Sequence, residues 1–565
     1  MPSELDRKFD AVLGAVIGPG GRVQMGTDEQ GRAIVVNLPP TLPGLFDAFC
    51  SLHGDKEAVI ADGERLTFAE LNPVADRLAR VLAGGWGIAK GDRVAIAMRN
   101  APSWILCYMA VLKAGGVAVL VNGWWETSEL RHGIELTEPK LIIADAARAK
   151  RLDATGIWLP TVVLPVEKKI DQALAPLMER GGEAAQLPDV GPEEDATILF
   201  TSGSTGAAKG AVSTQRAVTT GVYAYSLGLM TLLGILESEG RPPVRQPKTL
   251  INVPMFHVTG EVPVLLNSFV IGRAMVLMAK WDAGEALRLI EEEKVTYFVG
   301  VPTMSLELMQ HPGHADYDLS SLTDIAAGGA PRPVAHVKRL QQSFEGAQPA
   351  LGYGLTETNA VGCSNFWSNY ADKPASTGRP QRPIVELAIL AEDGSHLPVG
   401  ERGEIAIRSA ANISGYWRDP EATAAAFTAD GYLRTGDIGY LDEDDYLFIV
   451  DRKKDIIIRG GENISCQEVE AALYGHIEVS EACVFGIADE RLGEVPAAVI
   501  YSEEDGTLTQ EAMLGFLEDK LAQYKLPTYI WFEDDPLPKL GTGKIDKVTL
   551  RERYRAELAE VAEED

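Results

Sequence analysis

The stretch "ATILFTSGSTGAAKG" (Ala196–Gly210) joins a short apolar run to a segment dense in glycine and hydroxyl side chains. The run is typical of a buried strand, so the segment that follows it leaves the end of a sheet. Glycines allow backbone N–H groups to approach a ligand closely, hydroxyl groups add donors and Lys209 adds positive charge. The hydroxyl and glycine residues concerned are Thr201, Ser202, Gly203, Ser204, Thr205, Gly206 and Gly210. The stretch predicts a phosphate site; a flexible Gly/Ser linker, the alternative, has no reason to follow a strand or to end in lysine.

The spacing of the lysine excludes a mononucleotide P-loop. That motif needs a glycine, four residues, then Gly-Lys and a Ser or Thr. Here two alanines separate Gly206 from Lys209, and Gly210 follows the lysine. A P-loop ATPase is therefore dismissed, and another nucleotide chemistry must account for the segment.

Apolar runs of strand length recur along the chain and alternate with helical stretches. They are "RVAIAM" from Arg93, "KLIIAD" from Lys140, "TLINVP" from Thr249, "AMVLMA" from Ala274 and "VTYFVGVP" from Val295. Strands that alternate with helices predict an α/β fold with doubly wound, mostly parallel sheets covered on both faces.

The sequence changes in character near Asp451. A basic cluster, a β-branched strand and a glycine pair come first, followed by shorter strands and a helix from about Gln510. This pattern predicts a small α+β domain of residues 452–565 behind an N-terminal domain of residues 1–451.

Composition restricts the partners and the compartment. The formal charge of −29 disfavours nucleic acid and anionic membranes, since the field of the protein repels a polyanion. The five cysteines show no paired spacing, which indicates a reducing compartment and no zinc site. The first residues lack a basic signal-peptide head. We therefore expect a cytoplasmic protein.

One uncharged segment, Ala217–Leu236, is long enough to span a bilayer. It is rich in Thr, Ser and Gly and follows the phosphate-type segment directly. We therefore interpret it as a helix buried in a large core and expect no integral membrane segment, with peripheral membrane contact left open.

Four further stretches join Phe200–Gly210 in order along the chain. They are "PMFHVTG" (Pro254–Gly260), "GYGLTET" (Gly352–Thr358), "YLRTGDIGYLDEDDYLFIVDRKKDIIIRGGENI" (Tyr432–Ile464) and "LPKLGTGKIDK" (Leu537–Lys547). Together the five closely resemble the core motifs of the adenylate-forming superfamily, which contains acyl-CoA synthetases, adenylation domains of peptide synthetases and luciferases. The sequence is most similar in kind to a bacterial-type fatty or aromatic acyl-CoA synthetase.

The resemblance implies a large domain that holds ATP and a carboxylic acid, and a small mobile domain that swivels over it. The acid attacks the α-phosphate of ATP, which gives acyl-AMP and pyrophosphate. Lys544 is implied to bridge the carboxylate and the α-phosphate, Thr356 to contact that phosphate, and Glu357 to hold magnesium. The resemblance implies that the Thr201–Gly206 segment and Lys209 bind pyrophosphate. It implies that adenine is bound by Gly328, Gly329, Ala330, Tyr353 and Gly354. Asp437 and Arg452 are implied to bind ribose.

For coenzyme A to attack acyl-AMP, the resemblance implies rotation of the small domain about a hinge at Lys454. Gly460 and Gly461 would line the pantetheine tunnel, where absent side chains leave room for a narrow arm. The acid pocket is expected at His257, Val258 and Gly352, with Val262, Val264 and Leu265 near it in sequence. Apart from Glu261 these neighbours carry no charge.

The expected substrate is therefore a fatty or similar hydrophobic acid, and an aromatic acid is the second choice. Two alternatives to coenzyme A ligation stay open: an acyl-AMP ligase that loads a carrier protein, and a non-catalytic nucleotide sensor. Luciferase-like oxidation has no support beyond the shared motifs. The presence of Lys544 together with Glu357 counts against the sensor. Cys466, where the family usually has proline, is a conceivable nucleophile that this chemistry does not need.

Overall fold

The computed structural model describes residues 2–61, 63–201, 208–330, 332–453, 455–459, 462–489, 491–503, 508–518, 520–540 and 543–564. The predicted phosphate residues Ser202, Gly203, Ser204, Thr205 and Gly206, together with Lys454, Gly460 and Gly461, lie outside these ranges.

A seven-stranded sheet carries the opening stretch. Its strands, in spatial order, are Gly415–Tyr416, Lys209–Thr214, Asp195–Thr201, Val117–Leu120, Arg93–Ala97, Leu141–Asp145 and Thr161–Leu164. The last five run parallel, whereas Lys209–Thr214 pairs antiparallel with Asp195–Thr201. Lys209 lies opposite Thr201 in that pairing, so both residues stand at the same edge of the sheet.

A nine-stranded sheet forms the second layer. Its strands, in spatial order, are Arg379–Pro380, Gly362–Phe366, Gln348–Gly354, Asp324–Ala327, Tyr297–Gly300, Lys248–Ile251, Ala274–Leu277, Glu57–Ala61 and Glu64–Thr67. The six strands from Gln348–Gly354 to Glu57–Ala61 are parallel. A small antiparallel pair, Met25–Thr27 with Ala33–Val35, lies apart.

Helices cover these sheets. They are Glu4–Ile17, Leu42–His53, Phe68–Gly84, Pro102–Lys113, Thr127–Thr137, Ala146–Thr155, Ile170–Met178, Gln215–Ser238, the π-helix Gly260–Leu266 with Asn267–Ile271, Ala283–Glu293, Pro302–Gln310, Val334–Ser343, Trp367–Asp372 and Pro420–Ala426, with short 3₁₀ turns at His314–Asp316 and Thr356–Thr358. The predicted doubly wound α/β architecture is confirmed.

Within the described ranges, Gln215–Ser238 is the one helix that meets the length and hydropathy criteria for a membrane span. Its N-terminal half is nearly all buried, and 67% of its most apolar window lies inside the fold. That burial is what a core helix shows, as the sequence interpretation expected.

The first helix, Glu4–Ile17, is attached to a distant part of the same domain. Asp6 is buried and accepts hydrogen bonds from Asn369 Nδ2 and Tyr446 Oη at 3.0 Å each and from Arg379 Nη1 at 3.3 Å. Three donors from three separate segments on one carboxylate fix the position of the helix.

An antiparallel four-stranded sheet and a five-stranded sheet complete the fold. The first contains Glu386–Leu390, Gly403–Arg408, Leu433–Leu441 and Leu447–Arg452, and the second contains Glu462–Ile464, Ile457–Arg459, Gly493–Tyr501, Glu481–Asp489 and Tyr529–Glu533. The five-stranded sheet is accompanied by the helices Cys466–Leu473, Gln510–Glu518 and Lys547–Glu564 and the 3₁₀ turn Gln523–Lys525. Its apolar clusters are separate from those of the large sheets, as an independent small domain requires.

Candidate active site

A cavity of ≈ 2460 Å³ brings together residues from both parts of the chain. Fifteen of the predicted site residues that the structure describes line it: Thr201, Lys209, His257, Val258, Gly328, Gly329, Ala330, Gly352, Tyr353, Gly354, Thr356, Glu357, Asp437, Arg452 and Lys544. The carboxyl ends of the parallel strands supply the glycine walls, as open α/β sheets provide for their ligands.

Asp437 and Tyr353 form a buried hydrogen-bonded pair. Tyr353 Oη donates to Asp437 Oδ2 at 2.6 Å, and Arg452 Nε lies 3.5 Å from Asp437 Oδ1. Asp437 and Arg452 are opposite each other in adjacent antiparallel strands, which explains their proximity. Burial raises the pKa of Asp437, although Arg452 and the tyrosine hydroxyl act in the opposite direction. The pair presents a fixed carboxylate beside an aromatic ring.

Glu357 stands on the 3₁₀ turn Thr356–Thr358, directly after a strand of the nine-stranded sheet. The turn is held by Thr358, whose hydroxyl donates to Val361 O at 2.6 Å and accepts from Leu355 N at 3.0 Å. Burial raises the pKa of Glu357, and Tyr416 Oη donates to its Oε1 at 2.9 Å. A half-buried carboxylate that is hydrogen-bonded but has no cation within ion-pair distance among the described residues is suited to receive one.

Tyr416 is a site residue that the sequence analysis missed. It lies on an edge strand beside Lys209–Thr214, and Lys209 Nζ is 5.2 Å from the centre of its ring. The tyrosine therefore connects Glu357 to the positive charge of Lys209, whose other neighbour is Asp419 Oδ2 at 3.8 Å. No local pattern identifies Tyr416, because 59 residues separate it from Glu357.

Lys544 reaches the cavity from the small domain. A Cβ atom added to Gly329 would lie 3.5 Å from Lys544 Cε and 3.8 Å from Nζ, so the lysine amine lies along this glycine wall. Gly543 has φ +80°, and a Cβ there would come within 3.0 Å of Val301 Cγ2. Glycine at this position therefore permits both the turn and its close approach to the large domain.

The loop that carries Lys544 is also held by charge. Lys539 Nζ lies 2.7 Å from Glu481 Oε1 of the small domain and 3.5 Å from Glu307 Oε1 of the large domain. Such a half-exposed contact stabilises the docked position by about 1 kcal/mol or less and is easily exchanged.

We expect kcat/KM for ATP to fall as pH rises through about 8, the value to which burial lowers the pKa of Lys544. The charged lysine exists below its pKa, so the loss should approach about tenfold for each further pH unit. The profile is measured as pyrophosphate release from neutral to alkaline pH, where ATP and the acid no longer titrate. A descending limb at the ordinary lysine pKa of about 10.4 would contradict the assignment.

His257 lines the cavity as an uncharged group. Burial, with a smaller contribution from Lys544, lowers its pKa to about 3, and its Nδ1 accepts a hydrogen bond from Thr259 N at 3.3 Å. A histidine that stays neutral at physiological pH adds no charge beside the lysine.

One part of the cavity, here called the acid branch, is lined by the nine-stranded sheet and by the helix Gln215–Ser238. Side chains two residues apart on a strand face the same side, and such pairs line the branch. The lining residues are Tyr297 and Val299, Asp324 and Ala326, Ala350 and Gly352, and Ser364 and Phe366 from the sheet, Tyr225, Gly228 and Leu232 from the helix, and Leu5, Phe9 and Leu13 from the first helix. The middle of this branch is apolar, as expected for a hydrophobic acid.

The residues expected around the acid pocket divide between two sides of the π-helix. Val258 lines the cavity, but Val262, Val264 and Leu265 are fully buried in the core and are not part of the cavity wall. Glu261 also faces away and accepts a hydrogen bond from Tyr108 Oη at 2.6 Å. Closeness in sequence was misleading here, because successive residues of a helix point in different directions.

Cys466 is excluded as a nucleophile by its surroundings. It is buried at the start of the helix Cys466–Leu473, its Sγ lies 2.9 Å from Asp455 O, and burial raises its pKa well above the ordinary thiol value. A thiol held in this form has little thiolate character.

Magnesium fits the donor chemistry of the site. Among the described residues no group of three His, Cys, Asp or Glu side chains is placed to hold a metal ion. The carboxylate of Glu357 by itself offers a hard oxygen donor. Magnesium commonly binds one or two protein carboxylates and completes its coordination shell with phosphate oxygens and water. The residues therefore fit a magnesium–nucleotide complex better than a protein-only metal centre.

Comparison with known proteins shows the family of the chain. Residues 46–417 match the family model described as AMP-binding enzyme, and residues 468–544 match the AMP-binding enzyme C-terminal domain. The chain is 34% identical over 559 residues to the long-chain-fatty-acid–CoA ligase of Bacillus subtilis (92% of this chain and 95% of that protein). It is 33% identical over 497 residues to the feruloyl-CoA synthase of an Amycolatopsis species (88% and 96%). The solved Mycobacterium tuberculosis fatty acyl CoA synthetase superposes with a TM-score of 0.70 at 30% identity (92% and 99%).

Proposed function

Since the chain belongs to the AMP-binding enzyme family, we propose that it is an ATP-dependent carboxylic acid:CoA ligase. A carboxylate oxygen of the acid attacks the α-phosphorus of ATP, and the bond to pyrophosphate breaks. The thiolate of coenzyme A then attacks the acyl-AMP carbonyl, which forms the thioester and releases AMP.

The convergence of Lys544, Glu357 and Asp437 on one cavity with a largely apolar branch carries this proposal. The first step brings an anionic acid against a polyanionic nucleotide, so fixed positive charge at the point of attack is the largest available source of catalysis. Lys544 supplies that charge where the acid branch meets the nucleotide side of the cavity. A dead nucleotide sensor has no need of a buried lysine at this position.

The individual roles follow from position and chemistry. Lys544 bridges the attacking carboxylate and the α-phosphate, and Thr356 donates to that phosphate. Asp437 accepts from the ribose hydroxyls beside Tyr353, whose ring covers adenine. Lys209 and the segment from Thr201 bind the leaving pyrophosphate. Bound magnesium would supply charge neutralisation at the phosphates, held by Glu357.

The second half-reaction needs a different arrangement, because Lys544 occupies the approach to the acyl carbonyl. We place the domain boundary between residues 451 and 452, with a hinge at Lys454 and with Gly460 and Gly461 along the path of the pantetheine arm. The half-exposed contact of Lys539 with Glu307 at 3.5 Å is weak enough to break during this rotation.

The acid is hydrophobic along most of its length, with a fatty chain as first choice and an aromatic acid as second. The apolar middle of the branch supports both, and ligases of both kinds are among the relatives. All five cysteines are buried and unpaired, which supports the cytoplasm as the place of action.

The test is pyrophosphate release with ATP and magnesium over fatty, aromatic, bile-type and amino acids, each with and without coenzyme A. Products are identified by mass. We expect release with a hydrophobic acid and formation of its acyl-CoA. Formation of acyl-AMP without any acyl-CoA would favour a ligase that loads a carrier protein, and no release with any acid would favour the nucleotide sensor.

A further inference from the structure

The inner end of the acid branch carries three polar side chains that the proposed chemistry does not use. They are Arg273, Tyr297 and Asp324, and all three line the cavity. Tyr297 and Asp324 are the first residues of adjacent parallel strands, and Arg273 directly precedes a third strand. Gly328 at the nucleotide end lies four residues beyond Asp324, or about 13 Å along an extended strand. The three side chains are thus at the end of the branch remote from Lys544.

Arg273 is a buried charge with one free terminal nitrogen. Its Nε donates to Ser268 Oγ at 2.9 Å, and its Nη2 donates to Pro263 O at 2.9 Å and Val264 O at 3.0 Å. Within the described residues Nη1 has no hydrogen-bond partner, and no carboxylate lies within ion-pair distance. Burial lowers the pKa of Arg273 to about 10, so the group stays charged at neutral pH. A buried cation without a counter-ion is costly, which favours an electron-rich ligand group beside it.

Tyr297 lies against this guanidinium, whose carbon is 4.8 Å from the centre of the tyrosine ring. In the part of the chain that the structure describes, its hydroxyl has no hydrogen-bond partner. Burial raises its pKa to about 12, so it keeps its proton and can donate it in a hydrogen bond. The inner end of the branch therefore offers two unused donors.

Asp324 does not compete for these donors. Its Oδ1 accepts from Trp367 Nε1 at 2.9 Å and its Oδ2 accepts from Thr323 Oγ1 at 2.7 Å. Each carboxylate oxygen thus already accepts one hydrogen bond from the protein. Arg273 can only donate, so a ligand group that hydrogen-bonds to its free nitrogen must accept.

We propose that the substrate acid carries a carbonyl or carboxylate oxygen at the end remote from its reacting carboxyl group, and that Arg273 and Tyr297 bind that oxygen. The inference rests on the proposed function and narrows its substrate class from a plain hydrophobic acid to one with an acceptor at the far end. A site that hydrogen-bonds a substrate group discriminates strongly against an analogue without it, because its own polar groups are then left buried and unpaired.

The experiment compares acids of equal carbon number: decanoic acid, sebacic acid, and decanoic acid with a ketone on its penultimate carbon. The octanoic, suberic and corresponding keto acids form a second set. Pyrophosphate release gives kcat/KM, and calorimetry gives the dissociation constant of each acid without turnover. The proposal expects at least about a tenfold preference for one of the acceptor-bearing members, and the keto and dicarboxylic arms distinguish the two acceptor groups.

Tyr297→Phe keeps the ring on Arg273 and removes the donor, so we expect it to reduce this preference severalfold. Tyr317→Phe removes a hydroxyl outside the cavity lining and serves as the matched control, with the preference unchanged. Equal kcat/KM and equal affinity for all three members would overturn the inference and leave the ligase intact. If no acid releases pyrophosphate, the proposed ligase function is wrong, and the inference about the substrate is then judged from the dissociation constants. Tighter binding of the acceptor-bearing acids supports the inference, and equal binding of all three acids overturns it.

Discussion

Replacing Lys544 with alanine is expected to lower acid-dependent pyrophosphate release by about 10²–10³-fold, the range found when one preorganised electrostatic group is removed. In the described structure the side chain of Lys544 lies against the Gly329 wall of the cavity. Formation of thioester from supplied acyl-AMP should fall much less, because we propose that this step uses the rotated arrangement, in which Lys544 has left the acyl carbonyl. Both rates are measured on the same preparation.

Lys520→Ala provides the control for this comparison. Lys520 is an exposed lysine of the same small domain, whose amine lies 4.5 Å from the ring centre of Phe516 and outside the cavity. Its replacement should leave both half-reactions unchanged. Equal losses in the two half-reactions of Lys544→Ala would contradict the assignment of this lysine to the first step alone.

The second large effect is expected for Glu357→Gln, with pyrophosphate release reduced about 10²-fold. Glutamine still accepts the hydrogen bond of Tyr416, so the turn Thr356–Thr358 should keep its shape while the negative charge is lost. The expected cause is weaker binding of magnesium, whose charge stabilises the transition state by several kcal/mol. The measurement is the initial rate over a range of magnesium concentrations.

Tyr416→Phe distinguishes the effect of the orientation of the Glu357 carboxylate from the effect of its charge. It keeps the carboxylate of Glu357 and removes the hydrogen bond of 2.9 Å that orients it, so we expect a loss of about tenfold at most. A Glu357→Gln enzyme with the wild-type rate and magnesium dependence would show that this carboxylate does not hold the ion.

The nucleotide side of the site could be predicted because its residues lie in short stretches with their own patterns. Asp437 follows Thr-Gly, Lys544 follows Gly-Thr-Gly, and Tyr353 and Glu357 lie in one stretch, so a linear sequence contains most of this geometry. The alternation of strands and helices likewise predicted the α/β fold. Strand order could not be predicted, since crossover connections place strands side by side that are far apart in sequence.

The residues at the inner end of the acid branch were not predicted, for the same physical reason. Arg273, Tyr297 and Asp324 come from separate strand beginnings, and only the parallel registration of those strands brings them to one end of the branch. Each taken singly looks like an ordinary residue at the border of a strand. The apolar residues that follow His257 in sequence suggested an acid pocket more strongly than these polar residues did. Most of them nevertheless point into the core and do not line the cavity.

The attachment of the first helix, Glu4–Ile17, also has a consequence for how the protein is made. This helix is synthesised long before the partners of its Asp6, which are Asn369, Arg379 and Tyr446. Its apolar side, with Leu5 and Phe9, therefore has no complete binding partner until nearly four fifths of the sequence has emerged. The wall of the acid branch closes only at that late stage, which makes this segment a candidate site for chaperone contact during synthesis.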